Sequence, residues 1–125
     1  MTQSKHKPKK AVIYARTGTF TADHEPNSLA YQINLDRQYC ASQGYEVVLT
    51  LKEVASGATL QRAEFAKLRQ AMEQYTFDVI VVSTFDRISD VESIVQAFII
   101  EAEGKGFLVE SVREPTIDML EEIFF

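Results

Sequence analysis

The chain has 125 residues, enough for one domain and too few for two. With 46% hydrophobic and 25% charged residues it has the proportions of an ordinary globular domain, which excludes the disordered and fibrous classes, and no apolar run approaches the roughly 20 residues of a membrane helix. The formal charge is −5, and it is uneven: Lys5, Lys7, Lys9 and Lys10 crowd the first ten positions, leaving nine basic against eighteen acidic residues over 11–125, a poor balance for clamping duplex DNA by its phosphates.

Met1-Thr2-Gln3-Ser4-Lys5 lacks the apolar segment of a secretory signal, so a cytoplasmic protein is expected, with residues 1–10 as a basic flexible tail and residues 11–125 as the folded domain. Ala11-Val12-Ile13-Tyr14-Ala15 is a continuous apolar run, the pattern of a strand buried on both faces. Thr17 to Asn27, with Gly18, Pro26 and three threonines, reads as a loop. Ser28 suits a helix N-cap, and Leu29 to Gln43 reads as a helix closed by Gly44, a residue fit for a left-handed cap. This helix has two apolar sides, Leu29, Ile33 and Cys40 on one and Tyr31, Leu35 and Tyr39 on the other. One side must meet the sheet, and the other is open to the 17–27 loop or to an interface. Cys40 is the lone cysteine, best read as a small buried residue. His6 and His24 stand apart from any cysteine, so neither a metal site nor a cofactor is expected.

Tyr45 to Val54, rich in Val, Leu and Thr, reads as a second strand, followed by the small-residue loop Ala55 to Thr59. Phe65, Leu68, Met72 and Tyr75 recur at helical spacing and predict a helix over Ala63 to Tyr75. Phe77 to Phe85 reads as a third buried strand. Ser89 and Glu92 have the spacing of a capping box for a helix whose apolar side is Val91, Ile94, Val95, Phe98 and Ala102. Gly104 and Gly106 end it, and Phe107 to Val112 reads as a fourth strand. Alternating strands and helices give a mostly parallel sheet of about four strands flanked by helices, so the fold class is α/β. In such sheets functional groups gather at the carboxyl ends of the strands, here Arg16 to Thr19, Glu53 to Gly57 and Thr84 to Asp90.

Arg16, Arg62 and Arg87 fall at or near those ends. Converging guanidiniums make a bidentate phosphate site, because Arg keeps its charge and offers a fixed fork of donors. The plainer reading of Asp86-Arg87 is a pair of surface charges flanking a helix. Glu101, Glu103, Glu110, Glu114, Glu121 and Glu122 read as a solvated acidic surface.

The order of motifs resembles the N-terminal catalytic domain of the serine site-specific recombinases, the resolvase/invertase family. Tyr14-Ala15-Arg16-Thr17-Gly18-Thr19 is similar to that family's opening Tyr-x-Arg-Val-Ser-Thr, and Ser28-Leu29-Ala30-Tyr31-Gln32 to its Ser-Leu-x-x-Gln. Ala55-Ser56-Gly57 with Arg62 resembles its Ser-Gly loop and downstream Arg, and Phe85-Asp86-Arg87-Ile88-Ser89-Asp90 its Leu-Asp-Arg-Leu-x-Arg. The resemblance runs from about Ala11 to Glu114. It implies a three-layer resolvase-like domain, and members that cut DNA with a serine nucleophile, hold a 5′-phosphoserine link, exchange strands as a tetramer and need no metal. It also implies roles by position: Arg16, Arg62 and Arg87 on the scissile phosphate, with Asp86 and Glu53 orienting them.

Two positions depart from that pattern. Gly18 stands where the nucleophilic serine belongs, and its neighbours Thr17 and Thr19 point to other faces of an extended segment. Asp90 stands where the last arginine of the motif belongs, a reversal of charge in a phosphate site. By the resemblance, family members usually continue into a long dimer helix and a DNA-binding region, and the expectation from 125 residues is that neither has room here. The expectation is a recombinase-type domain without strand cleavage, acting as an interaction or regulatory module, associating with copies of itself and binding DNA weakly alone. Met119, Leu120, Ile123, Phe124 and Phe125 would pack on the domain or on a second copy. The rival expectation is an active or conditionally active recombinase with a displaced nucleophile. An unrelated nucleotide-binding α/β domain is disfavoured, because no glycine-rich turn follows the first strand.

Overall fold

Ala11 to Ala15 carry no polar side chain except the Tyr14 hydroxyl, so a strand of these residues is stable only when both of its faces are covered. In the computed structural model, which describes residues 7–114, all five are fully buried in β1 (Lys10–Thr17). The chain continues through α1 (Leu29–Gln43), β2 (Glu46–Val54), α2 (Ala63–Gln74), β3 (Val79–Val82), a single 3-10 turn at Phe85–Arg87, α3 (Glu92–Gly104) and β4 (Leu108–Ser111). The four strands form one parallel sheet in the order β2-β1-β3-β4.

Strand residues alternate between two cores, as the two-residue period of a strand requires. Val12, Tyr14, Ile80, Val82 and Val109 face α2 and α3, meeting Phe65, Leu68, Met72, Phe98 and Ala102. Ala11, Ile13, Val79 and Val81 face the other way, toward Ile33, Tyr39 and Cys40 of α1. The result is three layers, with α1 on one face of the sheet and α2 and α3 on the other. Tyr14, Phe65 and Phe98 contact edge to face in sequence, with centroids 5.6 and 5.0 Å apart, tying β1 to both helices of the larger core.

The structure corrects several details. The third and fourth strands are shorter than the apolar runs that announce them, because Phe77 and Phe107 lie ahead of their strands, packed against each other at 4.8 Å between centroids. Phe85 belongs to the 3-10 turn and not to β3. Ser89 does not cap α3: its hydroxyl donates to the Gly57 carbonyl at 2.7 Å and accepts from Val91 N–H, while the helix begins at Glu92 behind an N-cap, Val91, that offers no side-chain oxygen. In α1 the fully buried positions are Gln32, Asp36 and Cys40, so two of the three residues set most deeply are polar, and the apolar residues Ile33 and Tyr39 pack beside Cys40 in the core. Lys10, grouped with the basic tail on sequence, opens β1, its N–H donating to Asp78 Oδ2 at 2.8 Å. The apolar segment from Met119 to Phe125 and residues 1–6 lie outside the described residues.

Candidate functional site

β1 and β3 are neighbours, yet β1 is followed in sequence by β2 on one flank and β3 by β4 on the other. Connections that diverge in this way open a crevice beyond the carboxyl ends of the two central strands. Arg16 ends β1 there, the 84–90 segment follows β3, and Ala55 to Gly57 follow β2. The sequence-predicted residues therefore meet at one edge of the sheet.

Arg16 is only 2% exposed, and a guanidinium taken so far from water needs acceptors. The two neighbouring loops supply them. Nε donates to the Arg87 carbonyl at 2.8 Å, Nη1 to the Ala55 carbonyl at 3.0 Å, and Nη2 to the Asp86 carbonyl at 2.7 Å and to Asp90 Oδ1 at 2.8 Å. Its backbone is held as firmly. Gln32 of α1 accepts from Arg16 N–H at 3.1 Å and donates to the Arg16 carbonyl at 3.0 Å, and Arg87 Nη1 donates to that same carbonyl at 2.8 Å.

Arg62, 8% exposed, lies behind Arg16 with its guanidinium carbon 5.1 Å from the centre of the Phe65 ring and 5.7 Å from that of Tyr14. Nη2 donates to the Ile88 carbonyl, and Nε lies 3.7 Å from Glu53 Oε1; Nε and Nη1 have no hydrogen-bond acceptor among the described residues. Burial lowers its pKa below the ordinary arginine value, and Arg16 adds to this, whereas the Tyr14 phenol, Glu53 and Asp90 oppose it. Glu53 accepts from the Tyr14 hydroxyl and, through Oε2, from Glu64 N–H in the first turn of α2 at 3.0 Å. Burial and the bond to Glu53 push the Tyr14 pKa far above the ordinary phenol value, so the hydroxyl remains a donor.

Arg87 Nε is 3.0 Å from Asp86 Oδ1, which also accepts from the Thr84 hydroxyl. Burial alone would raise the Asp86 pKa, but these two donors and the charge of Arg87 hold it below the usual carboxylate value. The donors of Arg16 are thus turned onto backbone carbonyls and an acid of the chain itself, whereas two of the three Arg62 nitrogens have no acceptor among the described residues.

Gly18 lies just past β1 in the exposed loop, and a Cβ built on it meets nothing within 4 Å. Thr17 is 5% exposed, and its hydroxyl has no partner among the described residues, whereas Thr19 is exposed. Asp90, where a fourth arginine would belong by resemblance, has its side chain 64% exposed with one oxygen on Arg16. Four contributors escape a reading of charged residues alone. They are the Gln32 amide that brackets Arg16, the Tyr14 hydroxyl on Glu53, Ser89, and Gly57, whose carbonyl accepts from both the Ser89 hydroxyl and Asp90 N–H. All four fall inside the motifs; the sequence attaches no role to Tyr14, Gln32 and Gly57, and the spacing of Ser89 reads as a helix cap. Among the described residues no three His, Cys, Asp or Glu side chains are placed to hold a metal ion.

Residues 11–123 match the sequence family described as "Resolvase, N terminal domain". Comparison with curated proteins returns no match. Among solved structures, the chain is similar to the C-terminal catalytic domain of ISC1926 TnpA, an IS607-like serine recombinase, at 31% identity and a TM-score of 0.72, over 91% of this chain and 77% of that one. It is similar to the N-terminal catalytic domain of TP901-1 integrase at 26% identity and a TM-score of 0.82, over 93% and 88% of the two chains. A resolvase family site-specific recombinase from Streptococcus pneumoniae shares the fold, with 15% identity, a TM-score of 0.67 and coverage of 83% and 72%.

Proposed function

Because this chain belongs to the resolvase N-terminal domain family of serine recombinases, we propose that it is a DNA-recombination domain that no longer cleaves DNA and works as an interaction or regulatory module. Gly18 carries this reading. A covalent phosphoserine link needs an oxygen at that position, and glycine has none. Losing a stabilising arginine would raise a barrier by about 10² to 10³ in rate, whereas losing the nucleophile removes the covalent step. The neighbouring hydroxyls do not replace it: Thr17 is buried, and Thr19 is the next residue along the exposed loop, where successive side chains of an extended segment point to opposite faces.

The preserved residues suit a scaffold role. Arg16 ties the ends of β1, β2 and β3 together through backbone carbonyls, and Arg62 fills the space between Glu53 and Ile88. A domain held in this way keeps the recombinase shape, and with it surfaces through which it meets other copies of the fold. Affinity for DNA would be weak.

The test is incubation of the unmodified protein with supercoiled DNA carrying candidate sites, followed by denaturing electrophoresis. No protein-linked DNA is expected. Gly18→Ser, for which the backbone has room, is expected to remain inactive because Asp90 still faces the phosphate position. An adduct mapped to Thr17 or Thr19 in the unmodified protein would make it an enzyme with a displaced nucleophile and end this reading.

A further inference from the structure

Asp90 does more than remove a positive charge. Its Oδ1 sits 2.8 Å from Arg16 Nη2, the distance of a charge-assisted hydrogen bond, on a nitrogen whose other bond goes to the Asp86 carbonyl. Asp90 is fastened at the back as well: its N–H donates to the Gly57 carbonyl at 2.9 Å, and the Ser89 hydroxyl donates to the same oxygen at 2.7 Å. Gly57 closes the other side so tightly that a Cβ there would fall 2.5 Å from both Arg16 Nη2 and the Asp90 carboxylate. Residues 55–57 and 86–90 therefore form a two-sided clasp around one guanidinium, with an anion of the chain's own at its mouth. Behind the clasp, Arg62 is buried with Nε and Nη1 lacking acceptors among the described residues.

We propose that Asp90 is a tethered counter-anion that occupies the phosphate position on Arg16, so that the site is closed to external phosphate until the Asp90–Arg16 pair separates. This rests on the reading that the chain is a non-cleaving recombinase-type domain, and it supplies the regulation of that site. An external phosphate must displace an acid held on the same chain, whose effective concentration on Arg16 far exceeds that of a free ligand. Separation of the pair would expose Arg16 Nη2 and open a path to the spare donors of Arg62, two guanidiniums suited to a phosphate monoester or diester.

The competing explanation is local: an acid next to the start of α3 stabilises that helix through its dipole and need have nothing to do with ligands. Titration with inorganic phosphate and with a dinucleotide phosphodiester separates the two, followed by NMR of the arginine Nε–H signals of the whole chain. The unmodified protein should show no saturation at millimolar phosphate, with the Arg16 Nε–H protected from exchange. Asp90→Asn should bind phosphate at least tenfold more tightly, with shifts at Arg16 and Arg62. Gly57→Ala, which pushes the pair apart from the opposite side, should move affinity in the same direction. Equal phosphate binding by the unmodified protein and Asp90→Asn would overturn the proposal, as would an Asp90→Asn protein that loses thermal stability and gains no affinity. Neither outcome depends on DNA cleavage, so an adduct in the electrophoresis assay would end the functional reading while the phosphate titration tests the clasp independently.

Discussion

Asp36 is the residue at which sequence pattern and environment conflict most directly. It is 0% exposed, set against the sheet between Gln32 and Cys40, and neither carboxylate oxygen has a hydrogen-bond partner among the described residues. Burial pushes its pKa up to about 8. The nearby titratable groups offer no cation: Cys40 has a thiol raised to about 11 by burial, by Asp36 and by Glu110, and Glu110 takes the Tyr39 and Tyr45 hydroxyls. In the unfolded chain an aspartate releases its proton near pH ~3.9. Between those values the folded chain binds a proton that the unfolded chain has lost, so stability from this group is complete below about pH 4, falls as pH rises, and levels off above about pH 8. At about 1.4 kcal/mol per pKa unit, the window is worth roughly 6 kcal/mol. Asp36→Asn should flatten that part of the profile, read as the difference between the two proteins in chemical denaturation from pH 4 to pH 9. Parallel profiles for the two proteins would show that Asp36 is ionised in the fold.

At the scale of elements, α1 connects its own capping to the site. Ser28 Oγ accepts from Tyr31 N–H at 3.0 Å and donates to the Asp23 carbonyl at 3.0 Å, so one buried hydroxyl both starts the helix and pins the preceding loop. One turn on, Gln32 donates to the carbonyls of Asn27 and Arg16. Ser28→Ala should therefore cost about 1 to 2 kcal/mol in urea denaturation, the upper part of the range for an N-cap, because a buried acceptor at Asp23 also loses its donor. The same variant should speed exchange of the Arg16 N–H, which bonds to Gln32. Unchanged Arg16 exchange would separate the cap from the site. The start of α3 is built differently, since no side chain caps it and the Ser89 hydroxyl serves Gly57 instead. The capping-box spacing of Ser89 and Glu92 is real, but a hydroxyl bonds to the acceptor that folding brings nearest, and here that acceptor comes from the loop after β2.

For the whole molecule, charge and topology set what the domain can do alone. A net charge of −5 opposes the phosphate neutralisation on which non-specific duplex binding depends. Fluorescence anisotropy with a labelled duplex at physiological salt should show no saturation below about 10⁻⁴ M, the weak limit of ordinary non-specific affinity. Micromolar binding that falls steeply with salt would place a basic surface on the chain that its composition does not suggest. The sequence by itself determined the alternation of strands and helices, the sheet-end location of Arg16, Glu53 and the 84–90 segment, and the positions of Gly18 and Asp90. These follow from local periodicity, turn chemistry and residue type, which act over a few residues. Only the tertiary structure decided where the donors of Arg16 go, that Asp90 rests on it, that Gly57 leaves no room beside them, and that an aspartate lies buried in α1. The partners of Arg16 come from positions 16 to 74 residues away, and most are backbone carbonyls. A carbonyl is the same at every residue, so nothing in the amino-acid pattern marks which of them a buried guanidinium will meet; that is decided when the packing of the sheet brings three loops to one edge.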